Sequence, residues 1–180
     1  MVVMLIVLGH LLSISSDLTV KNHISGLIIP NSINWNEADD TLYVVNSALH
    51  RIDCYDYNSA TGEIANPREF WNVGTSEEPD GAAYDVEGNR WQAIFGGSRV
   101  MKISPEGKVL GQINLPTRNI SCCAFAGTTL WITTAEEDDP ENNPRSAKYG
   151  GALYKVDVGV AGMPKNKFKL DESVKKSLGL

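Results

Sequence analysis

Pro30-Asn31-Ser32-Ile33-Asn34-Trp35 runs into a polar turn at residues 37–40 and returns as Thr41-Leu42-Tyr43-Val44-Val45-Asn46-Ser47. Forty-nine positions after Asn31 the pattern recurs: Pro79-Asp80-Gly81-Ala82-Ala83-Tyr84, a turn at residues 85–89, then Arg90-Trp91-Gln92-Ala93-Ile94-Phe95 and the pair Gly96-Gly97. A weaker third copy is Ser121-Cys122-Cys123-Ala124-Phe125, closed by Gly127 and followed by Leu130-Trp131-Ile132-Thr133-Thr134. Each copy reads as strand, polar turn, strand. Repeats of short strands about 40–50 residues apart are the mark of a β-propeller. The repeat puts Asn31 and Asp80 at equivalent places, just before a first strand and facing one central axis. They are therefore the first candidates for chemistry.

Working outward from these repeats completes the blades. Residues 51–57 alternate and end in the turn at 58–62, and residues 64–71 follow as an outer strand. In the second copy the further strands are residues 99–103 and 109–115, separated by a turn at 104–107. The third copy has strands at 122–125 and 130–133. A long polar loop over 135–149 interrupts it, and it resumes at 152–156 and 166–170. Residues 171–180 form a weakly helical tail. Upstream, residues 11–15 and 18–23 read as two strands turning at Ser16-Asp17, the outer part of an incomplete blade beside Asn31. With about 40–45 residues per four-stranded blade, the chain holds three to four blades. That makes it an all-β, incomplete propeller in a single domain over 1–180. So short an arc leaves sheet edges and an apolar blade face uncovered, which predicts missing blades or a second chain.

Composition narrows the function classes. With a net charge of −6 and no basic cluster, nucleic acid is excluded as a partner. The acidic run at 136–139 lacks the alternating spacing and central glycine of a calcium-binding hand and reads as a solvated loop. Cys54, Cys122 and Cys123 are an odd set without zinc-site spacing. They read as buried free thiols in a reducing compartment, the cytoplasm, with the adjacent pair pointing to opposite faces of a strand. Residues 1–8 are continuously apolar but too short for a membrane span. This start, over 1–16, reads as a strand, as a secretion signal lacking a basic flank and a clear cleavage site, or as a start displaced within a longer gene. His10, His23 and His50 are scattered without a catalytic constellation. Trp35, Trp91 and Trp131 recur in the repeat and read as packing residues. Thr117 and Asn119 are placed near the mouth of the axis. Gly96-Gly97 is a turn rather than a phosphate loop, since no helix follows.

Eight stretches in order, over roughly residues 17–170, resemble the SMP-30/gluconolactonase/LRE-like family of six-bladed propellers. They are residues 29–35; 41–47; Tyr55-Asp56-Tyr57 with Thr61-Gly62; Pro79-Asp80-Gly81 with Asp85, Glu87-Gly88-Asn89 and Trp91; Gly96-Gly97 with Arg99-Val100; Ser104-Pro105 with Gly107; Leu115-Pro116-Thr117 with Ser121-Cys122; and residues 150–154 with Asp157-Val158-Gly159-Val160 and Gly162. The resemblance implies hydrolysis of a sugar lactone or related ester, and one divalent cation on the axis: Ca²⁺ first, with Mg²⁺, Mn²⁺ or Zn²⁺ as alternatives. It maps one ligand asparagine onto Asn31 and the ligand aspartate, also the general base, onto Asp80. Side-chain oxygens of this kind suit a hard cation, and a carboxylate there can take a proton from water. A plainer reading leaves both side chains capping their own backbone.

The departures are equally concrete. No glutamate precedes Asn31, so the family's N-terminal glutamate ligand is absent, and its second asparagine ligand and substrate-contacting residues lie in blades upstream of this sequence. Where the family more often has aspartate, this chain has Asn46. The chain thus reads as the C-terminal part of a metal-dependent lactonase carrying two of four ligands. The alternative is an inactive propeller fragment or pseudoenzyme.

Overall fold

The computed structural model describes residues 9–74, 76–164 and 166–179. The apolar start at 1–8 lies outside the described residues. Thirteen strands form four antiparallel sheets among them. β1 (Gly9–Ile14) pairs with β2 (Val20–Leu27). β3 (Pro30–Trp35), β4 (Thr41–Asn46), β5 (Arg51–Asn58) and β6 (Glu63–Asn72) form a four-stranded sheet in that order. β7 (Glu78–Tyr84), β8 (Arg90–Phe95), β9 (Arg99–Ile103) and β10 (Val109–Asn114) form a second. β11 (Ile120–Ala126), β12 (Thr129–Thr134) and β13 (Leu153–Asp157) form a third, of three strands. Strand order follows the chain in every sheet, and the first strands β3, β7 and β11 lie side by side, β7 against both others. This is the partial propeller that the repeats predict.

Why these residues become strands is clearest in β4. Every residue from Leu42 to Asn46 is buried. Leu42 and Val44 pack with Tyr55, Leu11 and Ile24, filling the space toward the β1–β2 sheet. Tyr43 and Val45 point the other way and join Ile52, Cys54 and Tyr84 between the first and second four-stranded sheets. A strand buried on both faces needs a continuous apolar run rather than alternation, and residues 42–45 supply it. The next interface, between the second and third sheets, gathers Trp91, Ala93, Val100, Ile120, Leu130 and Ile132. Pro67, which cannot donate to a ladder, sits in β6, the outermost strand.

Three boundaries depart from the sequence reading. The first strands of the two four-stranded sheets begin earlier than residues 33 and 82, so Asn31 and Asp80 lie inside β3 and β7 rather than ahead of them. The hairpin turn at Ser16-Asp17 forms as expected: the Asp17 carboxylate accepts the Thr19 amide at 2.9 Å, but Leu18 takes a left-handed φ of 67° and the second strand starts at Val20. No strand forms over 166–170. After β13 the chain instead turns back onto the second sheet, where Gly162 bridges Asp85 and the Met163 amide donates to the Tyr84 carbonyl at 2.9 Å. The following Pro164 offers no donor, and Phe168 is 63% exposed, so the alternating segment has no ladder to join. Within the loop at 135–149, Pro144–Tyr149 winds into a short helix, α1, with proline in its first turn. The tail forms helix α2 (Glu172–Leu178), as its composition predicts, and the Asp171 amide ahead of it reaches the Ser16 carbonyl at 3.0 Å.

Candidate functional site

Each inner strand carries one extra residue near its start. From Pro30 to Ile33 β3 advances three positions while β4 advances two, from Asn46 to Val44. The same slip occurs in β7 between Pro79 and Ala82, and in β11 between Ile120 and Cys122. A bulge re-aims the side chain it carries. Counted from Pro30, Pro79 and Ile120, the residue at the equivalent step is Asn31, Asp80 and Ser121. Ser121 bonds across the ladder to Thr133, hydroxyl to hydroxyl at 2.8 Å, so only the first two copies present an amide or carboxylate there.

Ser47 links these two. It follows β4, opens a one-turn 3-10 helix (Ser47–Leu49) and is 1% exposed. The Asn31 side-chain amide donates to Ser47 Oγ at 3.0 Å, and Ser47 Oγ donates to the Pro79 carbonyl at 2.6 Å. Asn31 is thus tied to the peptide unit immediately before Asp80. Its amide nitrogen is committed and it does not cap its own backbone. Ser47 carries no chemical signature in sequence; its place in the repeat, after the second strand, was the available signal.

Asp80 is half-buried. Burial, and then the nearby Glu78 carboxylate, push its carboxyl from the usual 3.8 up to about 6, against the lowering effect of a hydrogen bond from the Gly81 amide. Glu78 stands two residues away on the same strand and did not stand out in the sequence. The folded protein therefore holds the Asp80 proton more tightly than the unfolded chain does. Stability from this group falls as pH rises from about 4 to 6 and stays low above that, because the charged form is the disfavoured one. In metal-free buffer at about pH 7.5, Asp80→Asn should raise the melting temperature, and the gap should close below about pH 4. A gap that does not change with pH would contradict the assignment.

The oxygen-only character of Asn31 and Asp80 fits a hard cation in kind. A further observation points the same way. Asn46, 6% exposed and opposite Pro30, has a buried side-chain oxygen with no hydrogen-bond partner, and native folds seldom leave such an acceptor orphaned. The donors fall short in number, since no group of three or more His, Cys, Asp or Glu is placed to hold a metal among the described residues.

The remaining candidates resolve individually. Thr117 and Asn119 are buried and bonded to Ser146 and to the Glu136 carbonyl, tying down the loop that carries α1; they are not free at the mouth of the axis. None of the three cysteines forms a disulfide among the described residues, and Cys54 and Cys123 are buried, but Cys122 is exposed, contrary to the expectation of three buried thiols. Alternation along β11 explains it, one neighbour facing the core and the other away. Burial pushes the Cys123 thiol up, which disqualifies it as a nucleophile. His10, His23 and His50 bond to Ser25, Ser13 and the Glu77 carbonyl respectively, the first two on the β1–β2 hairpin and the third beyond β4. Trp91 packs in the core and donates to the fully buried Asp85 carboxylate at 2.9 Å. In the loop at 136–139, Glu137 pairs with Arg118 at 3.3 Å. A cavity of about 390 Å³ lies among residues 33–36, 82–84 and 123–125, the far ends of the same inner strands. It is therefore separate from the bulges that carry Asn31 and Asp80.

Residues 3–136 match the family model described as SMP-30/Gluconolactonase/LRE-like region. The chain belongs to this family. Among its relatives in the SMP-30/gluconolactonase family, regucalcin of Oryctolagus cuniculus is 32% identical over 162 residues, 87% of this chain and 54% of that protein. Regucalcin of Gallus gallus is 31% identical over 162 residues, with the same shares. A solved luciferin-regenerating enzyme superposes with a TM-score of 0.80 at 31% identity, over 89% of this chain and 55% of its own. A calcium-binding regucalcin of Agrobacterium tumefaciens, at 24% identity and a TM-score of 0.70 over 87% of this chain and 53% of its own, shares the fold. The chain spans about half the length of the curated relatives it matches. No helix among the described residues is long and apolar enough to cross a membrane.

Proposed function

We propose that this chain carries the cation-binding and base-bearing sector of a divalent-cation-dependent hydrolase acting on sugar lactones or related esters. The observation that supports it most is the link from Asn31 through Ser47 to the peptide before Asp80, which sets an amide oxygen and a carboxylate on adjacent inner strands. Family membership and the elevated Asp80 carboxyl add weight.

In this reading Asn31 and Asp80 hold the ion through side-chain oxygens, Ca²⁺ before Mg²⁺, Mn²⁺ or Zn²⁺ because large, flexible oxygen shells suit calcium. When bound, the cation supplies Lewis acidity toward a carbonyl. Asp80 takes the proton of the attacking water. Without the cation its carboxyl is raised to about 6 by burial and Glu78; beside a bound cation it falls and Asp80 stays ionised, the form that can accept a proton. Water oxygen bonds to the acyl carbon, the ring C–O bond breaks, and the proton held by Asp80 passes to the departing alkoxide. Asn31 positions and Ser47 keeps the two strands in register. Two protein ligands alone would make a weak site for a cation that takes about six to eight oxygens. Calorimetric titration of Ca²⁺ into the purified chain, followed by a lactone hydrolysis assay, tests the reading; no heat of binding at millimolar calcium would contradict it.

The buried thiols of Cys54 and Cys123 favour a cytoplasmic location. A mature N-terminus near Ser16 in the mass spectrum of the natural protein would overturn that placement in favour of secretion.

A further inference from the structure

β8 is buried on both faces, and the two faces differ in kind. Trp91 and Ala93 join the apolar core toward the third sheet. On the other face stand Arg90 and Gln92, each with no exposed surface. The three acceptors of the Arg90 guanidinium are all neutral: Gln92 Oε1 at 2.8 Å, the Tyr84 hydroxyl at 3.2 Å and Ser32 Oγ at 2.8 Å; it also lies over the Tyr84 ring at 5.4 Å. A buried charge without a counter-charge is a poor way to stabilise a core, and apolar residues of similar volume would avoid its desolvation.

The contacts suggest what the pair is for. The bulge in β7 takes residues 80 and 81 off the regular ladder, leaving their carbonyls in need of donors. The Gln92 side-chain amide supplies them, reaching the Asp80 carbonyl at 3.0 Å, the Gly81 carbonyl at 3.2 Å and the Ala93 carbonyl at 2.8 Å. Arg90 grips Gln92 with one nitrogen and, with another, Ser32 of β3, the neighbour of Asn31. One continuous chain of hydrogen bonds therefore runs from the bulge holding Asn31 to the bulge holding Asp80, in addition to the Ser47 link.

We propose that Arg90 and Gln92 are positioning residues that lock the bulges of β3 and β7 together and so set the separation of Asn31 and Asp80. The inference rests on the reading that those two residues share a cation. The test uses the full chain, ¹⁵N-labelled, with the variants Gln92→Met, Ser32→Ala and Ser32→Thr. Outer residues that orient metal ligands typically weaken affinity about 10–100-fold when lost. Gln92→Met and Ser32→Ala should each lower Ca²⁺ affinity by at least about tenfold, measured well below the melting temperature, while Ser32→Thr, which keeps the hydroxyl, restores it. The effect must also cross between strands: Gln92→Met moves the Asn31 side-chain amide signal on β3, and Ser32→Ala moves the Gly81 backbone amide signal on β7. A role confined to stability would lower the melting temperature and leave affinity and the cross-strand signals alone, and that result overturns the proposal. Should Gln92→Met fail to fold, Ser32→Ala decides alone. Should the wild-type chain bind no calcium, the functional reading fails, and the cross-strand signals by themselves sustain or overturn the positioning role.

Discussion

Asp80→Ala should remove saturable calcium binding from the chain and, with it, any lactone hydrolysis the chain performs. Asp80 is the only carboxylate at the equivalent bulge position of the three inner strands, the others being Asn31 and Ser121. It is half-buried and its carboxyl is driven up to about 6 by burial and by Glu78, so it is short of positive charge in the metal-free protein. A cation at that place relieves both penalties, which makes the carboxylate the strongest contributor to binding. Losing a general base typically costs about 10²–10⁴-fold in rate before any loss of the cation is counted. Asn31→Ala should weaken calcium binding less than Asp80→Ala does, since a neutral amide oxygen is given up. The double variant should be no worse than Asp80→Ala, because residues sharing one ion are not additive. Parallel titrations of the three variants check this. Wild-type affinity in Asp80→Ala would sink the assignment.

Gly81→Val should destabilise the fold more than any surface change. Gly81 lies outside the left-handed φ region, so its φ does not require glycine; its surroundings do. A Cβ there would stand 2.6 Å from Cys122 Cβ and 2.7 Å from Cys122 Cα, inside any permitted contact and partly against backbone. β7 and β11 could keep their spacing only by shifting a strand. Overpacking a tight core costs about 1–3 kcal/mol and sometimes more. At about 2–4 °C per kcal/mol for a chain of this size, Gly81→Ala should lower the melting temperature by roughly 5–10 °C and Gly81→Val by more. Gly111, in the outer strand β10, has open space around it, so Gly111→Ala is the control and should melt with wild type. If Gly81→Ala also melts with wild type, contact with Cys122 is not what constrains the close approach of β7 and β11 at Gly81.

Much of this was legible in the residues. The apolar residues at 42–45, at 91 and at 93–95 declare strands, and the turns that follow the inner strands are written in Asp, Asn and Gly. The three-fold recurrence of the Pro30–Trp35 pattern declares the inner strands. The bulges were not legible, because one extra residue in a strand leaves the local composition unchanged and shows only when the partner strand is in register beside it. Residues 166–170 misled for a related reason: Lys167, Phe168 and Lys169 alternate as a strand should, but a strand also needs a free edge, and the chain has already turned back at Gly162. Of the site, Asn31 and Asp80 stood out by their equivalent places and by family resemblance. Ser47, Gln92 and Arg90 did not, because their role lies in contacts across 11 to 58 positions of chain, which no local pattern records.

The most direct measurement is a crystal structure of the chain grown with calcium, or with terbium for its anomalous signal. The account predicts one ion within about 2.3–2.6 Å of both the Asn31 side-chain oxygen and an Asp80 carboxylate oxygen, its remaining positions filled by water. An ion bound elsewhere, or side-chain oxygens of Asn31 and Asp80 lying beyond roughly 6 Å of each other with calcium present, would contradict it.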